Sequence, residues 1–521
     1  MNENTQIDAA RQYHSGTKHS YLSIRLHQHA LDWENKPLLF KIYPTLEVIR
    51  LPRDFQDTGK SALSAIAAGP GTPEGEAVPD LEGLAQVLFF SAGVTKSRKH
   101  SGGETFFRAA ACTGALYEIE LYVVCTDIRS RIQLSDSPPV LPAGVYHFGA
   151  AEFGLRQLRA GDFRKAIVAA TADDPSMAHA PVIIVCTGVY WRNAWKYRSR
   201  TYRHFGWDNG TILANYLAIS AAMNLPSRIA AGFVDAPVNE LLGLDTRREV
   251  AFTLVSLGHM QATPSASPPP EKLTLPVVPY SAKEVDYAAM RKIHEASCLD
   301  SAAEVIAWRG WTPSSEMPPA KETTTALFPP NDSRLPSDTI EQVIARRGST
   351  RQFSRDPITF AHLSTMLDRA TRGIPADFLD PLGSHLNDLY LIVNNVVGLA
   401  AGAYVYHREE KFLELLKRGE FRDKAGYLGL EQQIPADASV DVFFLADLKG
   451  ILERYGNRGY RAVQLEAGIL GGKLYLAAYA QKLGCSGLTF YDDDVVSFFS
   501  PHARGKSAIF LIALGRSALR K

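Results

Sequence analysis

The sequence predicts an α+β protein made of two tandem domains that pair with each other inside one chain. Its 521 residues exceed what a single hydrophobic core usually serves, so two or three domains are expected. Segments of the first half recur in the second half at one constant spacing, and each half mixes short apolar runs with longer helical patterns. These observations favour a duplicated domain that forms an intramolecular pseudo-dimer.

The spacing of the internal repeat is 258 residues. Residues 197–203 correspond to residues 455–461, since 455 − 197 = 258, and residues 141–146 correspond to residues 399–404 at the same spacing. A repeat unit of about 180 residues is far too long for a solenoid, whose repeats span 20–50 residues. We therefore expect a dimer that has been fused into a single polypeptide.

Local patterns predict the main helices and strands. A helix is expected over residues 338–346, with Ser337 as its N-cap and Gly348 as its stop, and Thr359 is expected to cap the next helix. Buried strands are expected at residues 121–124, 182–185, 389–393, 440–445 and 508–513. Residues 212–223 and 469–481 are apolar nearly all round, so these helices should be buried on every side.

Proline and serine content sets the expected boundaries. An N-terminal arm should cover residues 1–80 and a first domain residues 81–260. A Pro/Ser-rich connector should follow over residues 261–336, because proline disfavours helix interiors and central strands, with one helix at 282–308. The second domain should then cover residues 337–521.

Composition excludes several classes of protein. The net charge is +1, which gives no reason to expect a nucleic-acid or membrane partner. The five cysteines are scattered without a C-x-x-C pair, so neither a disulfide framework nor a metal site is expected. No apolar run reaches the ~20 residues of a membrane helix, and the N-terminus lacks an apolar signal core, so we expect a cytoplasmic protein.

Four short segments could carry chemistry. Arg347, Ser349 and Arg351 suit a phosphate, because guanidinium groups form charge-assisted forked hydrogen bonds, although this pattern taken alone is more typical of a solvated basic turn. Residues 108–117 contain small side chains that would let the backbone approach a flat ring, or would simply form a tight loop. The pair at 196–197 could move protons or lie at the surface, and the turn at 484–489 could donate backbone N–H groups to a ligand or end a helix.

Taken together, these segments resemble the nitroreductase superfamily, and within it the long tandem SagB/ThcOx-type dehydrogenases. Residues 347–353 match that superfamily's R-x-S-x-[RK] flavin-phosphate motif. Residues 108–122 resemble the R-A-x-P-S-x-G-A-L-Y-P-x-E-L-Y stretch, and residues 196–203 resemble K-Y-x-x-R-x-Y-R. Cys112 and Thr113 stand where the family has Pro-Ser, and Glu118 replaces a proline.

The resemblance implies two nitroreductase-like α/β/α sandwich domains and an FMN cofactor that is shared between them. Each half lacks part of the pattern, so one complete composite site is expected and one FMN per chain. Lys196 and Tyr197 would be catalytic, with either of them as the base. The residues expected to bind the cofactor are Arg347, Ser349, Arg351, Thr113, Gly114, Ala115, Tyr117, Gly487, Leu488 and Thr489, with Arg516 as a further candidate.

The function implied is an FMN-dependent two-electron dehydrogenation, such as azoline to azole in a peptide or related small molecule. A cyclodehydratase complex would be the expected partner, and the oligomeric state of the fused chain stays open. Two alternatives remain at this point: an NAD(P)H-dependent reductase of nitro compounds or quinones, and a flavin-free scaffold of a peptide-modifying complex.

Overall fold

The computed structural model describes residues 3–26, 30–69, 71, 75–100, 103–132, 140–310, 320 and 323–518. Part of the expected connector, residues 311–319 and 321–322, lies outside these described residues. Short 3-10 turns occur at Glu3–Thr5, Thr113–Ala115, Arg198–Arg200, Asp332–Arg334 and Gly456–Arg458.

The helices and strands of the first half are numbered in chain order. Its helices are α1 Asp8–Gly16, α2 Tyr21–Leu26, α3 Ala62–Ala67, α4 Leu81–Ala92, α5 Arg164–Ala170, α6 Pro175–Ala178, α7 Tyr190–Tyr197, α8 Thr201–Ala222 and α9 Asp235–Leu242. Its strands are β1 Ile49–Arg50, β2 Val94–His100, β3 Gly103–Arg108, β4 Ile119–Cys125, β5 Ile128–Arg129, β6 Val140–Leu141, β7 Gly144–Gly149, β8 Gly154–Ala160, β9 Val182–Val189, β10 Ile229–Ala230 and β11 Glu249–Leu257.

The second half continues this numbering. Its helices are α10 Ala288–Ala296, α11 Ala302–Trp308, α12 Ile340–Arg346, α13 Phe360–Ala370, α14 Arg422–Leu428, α15 Gln433–Asp437, α16 Leu448–Tyr455, α17 Gly459–Ala480 and α18 Asp492–Phe499. Its strands are β12 Thr324–Ala326, β13 Ile358–Thr359, β14 Asp388–Val393, β15 Val396–Val397, β16 Gly402–His407, β17 Phe412–Arg418, β18 Val440–Ala446, β19 Gly484–Leu488 and β20 Ser507–Gly515.

Each half folds around a seven-stranded antiparallel sheet. The strand order is β1-β8-β7-β4-β9-β11-β10 in the first half and β12-β17-β16-β14-β18-β20-β19 in the second. The central strands β4, β9, β14 and β18 are buried along their whole length, because helices cover both faces of each sheet. All five predicted strands are confirmed, and so is the α+β class.

The repeat predicted from the sequence is confirmed in three dimensions. β16, α17 and β20 begin 258 residues after β7, α8 and β11, since 402 − 144, 459 − 201 and 507 − 249 all equal 258. Equivalent strands also occupy equivalent places in the two sheets. The molecule is therefore an intramolecular pseudo-dimer.

The two long helices α8 and α17 join the halves. Both are buried along almost their whole length, as their apolar sequences predict, and they pack directly against each other. A β-carbon added to Gly210 would lie 2.5 Å from the backbone carbon of Gly468, which occupies the equivalent position in α17. The indole of Trp207 donates a hydrogen bond of 2.7 Å to the Gln464 side chain. Glycine thus permits backbone contact where the pseudo-two-fold axis passes.

A buried ion cluster fixes the N-terminal arm against both halves. Arg203 of α8 donates to the Asp492 carboxylate at 2.7 Å and to the carbonyl of His14 in α1 at 2.8 Å. Arg200 also contacts the Asp492 carboxylate, at 3.2 Å. Because Asp492 belongs to the second half, the cluster closes the interface.

An equivalent cluster lies on the opposite side. Arg461 of α17 donates to the Asp235 carboxylate at 2.8 Å and to the carbonyl of His294 in α10 at 3.0 Å. Arg458 also pairs with Asp235. The helix α10 thus has the same role in the connector as α1 has in the arm.

Two local predictions are wrong. Residues 282–308 do not form one helix, because α10 ends at Ala296 and Ser301 caps a separate α11 by accepting from the Glu304 amide. The N-cap of α12 is Thr339 rather than Ser337, because Thr339 and Gln342 form a capping box. Among the described residues no helix is both long and apolar enough to cross a membrane.

Candidate active site

A cavity of about 1270 Å³ opens between the two halves. Ligand pockets usually have volumes of roughly 300–1,000 Å³, so this cavity has room for a cofactor and a substrate. The first half contributes the loop before β4, the start of α8 and residues 15–20 of the arm. The second half contributes residues 349, 351 and 486–489.

The edge strand β19 forms one wall of the cavity. Gly487 donates its backbone N–H to the Tyr475 hydroxyl at 2.6 Å, and Leu488 and Thr489 continue along the same wall. The Thr489 hydroxyl oxygen is buried and has no hydrogen-bond partner among the described residues. An unsatisfied buried polar atom costs about 1–3 kcal/mol, so a ligand atom at this position would stabilise the site.

The arginines of the predicted phosphate motif have two different roles. Arg351 is exposed on the cavity wall, and among the described residues it forms no hydrogen bond or ion pair. Ser349 lies next to it, with its hydroxyl 3.2 Å from that of Tyr475. The Arg347 guanidinium instead donates to the carbonyl oxygens of Ala109 at 2.8 Å and Arg108 at 2.9 Å. Arg347 therefore ties the second half to the small-residue loop of the first.

The small-residue loop is held by Asp208 of α8. Thr113 donates both its amide, at 2.8 Å, and its hydroxyl, at 2.9 Å, to the Asp208 carboxylate. Gly114 has a φ of +66°, and a β-carbon there would lie 2.8 Å from the Tyr197 hydroxyl oxygen. Only glycine fits this position, so the loop can bring its backbone to the cavity surface.

Two of the residues that depart from the family pattern, Cys112 and Glu118, form a buried cluster with Asp208. The Cys112 sulfur lies 3.2 Å from the Asp208 carboxylate and 3.4 Å from that of Glu118. Burial and the neighbouring Asp208 raise the pKa of Glu118 well above its usual value, which favours the protonated form of Glu118. The three potential ligand atoms lie within 4.8 Å of one another, a spacing that could also hold a metal ion. A proton shared between the Glu118 and Asp208 carboxyl groups accounts for this geometry without a metal ion.

Lys196 and Tyr197 end α7 at the cavity wall. The Lys196 ammonium lies 5.2 Å above the Tyr197 ring. Burial, and then the charge of Asp208, raise the pKa of Tyr197, so the phenol keeps its proton at neutral pH. Burial and the nearby Arg351 lower the pKa of Lys196.

The structure brings most of the predicted site residues together. The residues on the cavity wall are Lys196, Tyr197, Thr113, Gly114, Ser349, Arg351, Gly487, Leu488 and Thr489. Ala115, Tyr117 and Arg347 lie behind this wall, and the Tyr117 hydroxyl donates to the Phe106 carbonyl at 2.8 Å. Arg516 is exposed away from the cavity and donates to the Pro357 carbonyl at 3.0 Å.

Sequence reasoning missed one stripe of α8. Arg200, just before the helix, and His204, Trp207, Asp208 and Thr211 within it all line the cavity. Their spacing of 4, 7, 8 and 11 residues from Arg200 places them on one helix face. A polar stripe in an otherwise apolar helix was the signal that could have revealed them.

The equivalent position on the opposite side of the molecule is filled by the chain itself. Ala231 corresponds to Thr489, since 489 − 231 = 258. The amides of Ala231 and Gly232 donate to the Asp377 carboxylate at 2.9 and 2.8 Å, and the amide of Ile229 donates to the Pro375 carbonyl at 2.8 Å. Residues 375–377 therefore occupy the strand edge that, on the other side, faces the cavity.

Trp308 and residues 375–377 together fill this position, and they are called the plug below. The Trp308 side chain is buried, and its indole donates at 3.0 Å to the carbonyl of Tyr455, the counterpart of Tyr197. The Tyr455 hydroxyl in turn donates to the Phe378 carbonyl at 2.9 Å. The two sides of the pseudo-dimer are thus unequal: one is open and one is filled.

Comparisons with known proteins agree with this architecture. Residues 344–516 match the model of the nitroreductase family. A nitroreductase-type protein of Methanocaldococcus jannaschii is 28% identical over 166 residues, which are 30% of this chain and 81% of the relative. The crystal structure of a nitroreductase-type protein of Anabaena variabilis aligns over 98% of this chain and 99% of its own, with 25% identity and a TM-score of 0.77. The fold prediction of two tandem nitroreductase-like domains is confirmed.

Proposed function

We propose that this chain, which carries a nitroreductase-family domain over residues 344–516, is an FMN-dependent oxidoreductase with one flavin site between its halves. The observation that carries the proposal is the composite cavity, whose walls come from both halves. When bound, FMN would supply two-electron chemistry by accepting or donating a hydride at N5. The protein would bind it, orient it and exclude water.

The residues present fit this cofactor. Arg351 offers a guanidinium that pairs with none of the described residues, and Ser349 offers a hydroxyl for the phosphate, a charge-assisted arrangement that arginine favours. The backbone of Gly487, Leu488 and Thr489, with the unsatisfied Thr489 hydroxyl, would face the ring. The Gly114 loop would approach the ring from the other half, held in place by Thr113 and, from behind, by Ala115 and Tyr117.

The substrate would bind beside Lys196 and Tyr197. Following the resemblance to the SagB/ThcOx-type dehydrogenases, we propose the dehydrogenation of an azoline to an azole in a peptide or related small molecule. The open cavity, with Lys196 and Arg351 on its wall, supports a polar substrate of this kind. A cyclodehydratase would be the partner that makes the azoline, and we place the protein in the cytoplasm.

Titration of the purified protein with FMN tests both the site and its number. We expect about one FMN per chain, because residues 375–377 and Trp308 fill the second position. Arg351→Ala should weaken FMN binding by about 10- to 100-fold, since hydrogen bonds to charged groups contribute about 1.5–3 kcal/mol. Arg516→Ala is the matched control and should bind like the parent. Two flavins per chain, or equal loss in both variants, would contradict the proposal.

The descriptions of the similar proteins favour a second candidate, an NAD(P)H-dependent reductase of nitro compounds or quinones. Rapid bleaching of the bound flavin by NADPH without oxygen would support it. A protein that stays colourless after FMN is added would instead indicate a flavin-free scaffold of a peptide-modifying complex.

A further inference from the structure

We propose that the Nε2 atom of His204 is the base that accepts the substrate proton in the dehydrogenation. This inference rests on the proposed function and deepens it, because it assigns the proton-accepting atom. The imidazole lies on α8 and lines the cavity beside Tyr197. Three observations support the assignment: a fixed tautomer, the position of the ring, and the absence of the same group on the plugged side.

Asn193 fixes the tautomer of His204. The His204 Nδ1 atom lies 2.7 Å from the Asn193 side-chain oxygen, and the Thr201 hydroxyl donates to the same oxygen at 2.9 Å. The Asn193 amide nitrogen donates in the opposite direction, to the Thr113 carbonyl at 3.5 Å. Because the Asn193 oxygen can only accept, His204 must carry its hydrogen on Nδ1. The Nε2 atom is then left with a lone pair.

The ring stands where a substrate would meet the predicted catalytic pair. It packs edge-on against Tyr197 with the ring centres 4.7 Å apart, and lies 4.9 Å from the Trp207 ring on its other side. Within the described residues Nε2 has no hydrogen-bond partner, although the ring lines the cavity. His204 is buried, so only a ligand inside the cavity could reach this lone pair.

The neighbouring groups keep the imidazole neutral. Burial, followed by the charges of Arg200, His19 and Arg203, lowers the pKa of His204 well below its usual value. His19, which faces it from the arm, has its pKa lowered to about 3 by burial and Arg200. Asp492 of the second half is paired with both Arg200 and Arg203, at 3.2 and 2.7 Å.

Within the predicted pair, Tyr197 cannot serve as the base at neutral pH, and Lys196 is the rival of His204. The raised pKa of Tyr197 leaves a phenol, which donates a proton rather than accepting one. Burial and Arg351 lower the pKa of Lys196, which favours its neutral amine, so the pH profile of Asn193→Asp decides between Lys196 and His204. Tyr197 is better suited to orient the substrate by donating a hydrogen bond.

The plugged side of the molecule lacks this arrangement. At the spacing of 258 residues, Asn193, Thr201 and His204 correspond to Ile451, Gly459 and Ala462. Tyr197, in contrast, corresponds to Tyr455 and is kept. A histidine needed only to hold the start of the helix would be expected on both sides, whereas a base is needed only beside the open cavity.

The step balances in atoms and electrons. One substrate C–H bond would break with its electron pair, and the hydride would be accepted by a bound oxidised flavin, the two-electron oxidant of the proposal. The proton on the neighbouring substrate atom passes to His204 Nε2, and a double bond forms between the two substrate atoms. Because the surrounding arginines disfavour an imidazolium, the proton then leaves to water through the open cavity.

The test uses the flavin-loaded protein and a synthetic peptide that contains one thiazoline. We expect His204→Gln to keep the flavin spectrum and lose about 10²- to 10⁴-fold in turnover, the usual contribution of general base catalysis. For the parent, turnover should stay constant down to below pH 6.5 and fall only where His204 becomes protonated. Asn193→Asp should move this fall to higher pH, because a carboxylate beside Nδ1 stabilises the imidazolium.

Each outcome decides one claim. If the parent oxidises the peptide and His204→Gln is within threefold of it, or Asn193→Asp leaves the pH profile unchanged, the base assignment is wrong. If the parent does not oxidise the peptide, the proposed substrate class is wrong. Nitrogen NMR of the ¹⁵N-histidine-labelled parent gives an independent result: a hydrogen on Nε2 at neutral pH would overturn the assignment whatever the activity.

Discussion

Replacing Gly468 by valine should force α8 and α17 apart and destabilise the whole chain. A β-carbon at this position would lie 2.6 Å from the carbonyl oxygens of Gly206 and Trp207. Non-bonded atoms at a carbon surface prefer about 3.5 Å or more, so the shortfall is roughly 1 Å. The opposing atoms belong to a helix backbone, which cannot turn aside as a side chain can.

The expected loss of stability in Gly468→Val is the difference between two opposing effects. Overpacking of this kind costs about 1–3 kcal/mol, and a contact with two backbone carbonyls belongs at the upper end. Valine regains only about 0.4 kcal/mol because it is a better helix former than glycine. We therefore expect Gly468→Val to lower the free energy of unfolding by about 2–3 kcal/mol. FMN affinity should fall as well, because the cavity lies between the same two halves.

Urea unfolding followed by tryptophan fluorescence measures this loss, with FMN titration as the second readout. Gly16→Val is the matched control for the urea unfolding alone, because a β-carbon at Gly16 meets no atom within 4 Å but residues 15–20 line the cavity. An unchanged unfolding midpoint for Gly468→Val, with an unchanged slope, would refute the view that backbone contact closes the pseudo-dimer.

Two further predictions concern the catalytic pair and the plugged side. The double variant Lys196→Met/Tyr197→Phe should keep the flavin absorption spectrum and lose turnover, because both side chains would act on the substrate; normal turnover would exclude that role. Burial raises the pKa of Asp235, but Arg458 and Arg461 outweigh it and lower the pKa to about 2. The contribution of this carboxylate to the free energy of unfolding should be fully present above pH 4. It should fall by about 2 kcal/mol between pH 4 and 2, since one pKa unit equals 1.36 kcal/mol. Asp235→Asn should remove that acid-dependent fall and cost about 3–5 kcal/mol at pH 7, because two buried arginines lose their carboxylate; an unchanged unfolding profile from pH 2 to 7 would contradict it.

The sequence predicts the duplicated fold because the signal is long-range and redundant. The apolar surfaces of α8 and α17 and the constant spacing of 258 residues are both properties of the chain itself. The two wrong helix predictions overlooked signals that the local sequence carries. Thr339 and Ser301 are each followed three residues later by Gln342 and Glu304, which is the pattern of a helix N-terminus.

The site was only partly predictable, because several of its contacts join residues that are brought together only by the fold. Ser349, Arg351 and Thr113 belong to recognisable motifs, and the structure places all three at the cavity. His204 has no motif, and it becomes a candidate only once Asn193 is seen beside it. Residues 375–377 carry no local sign that they fill the second site, because their partners lie about 145 positions earlier in the chain.

The joining of the two halves by α8, α17 and the connector has a consequence for how the protein would behave on dilution. Two separate subunits lose a shared site when their concentration falls below the dissociation constant, whereas tethered halves keep a fixed effective concentration. FMN affinity in this chain should therefore be the same at nanomolar and micromolar protein. A substitution also occurs once per molecule rather than twice, so the open and the filled side are free to evolve independently.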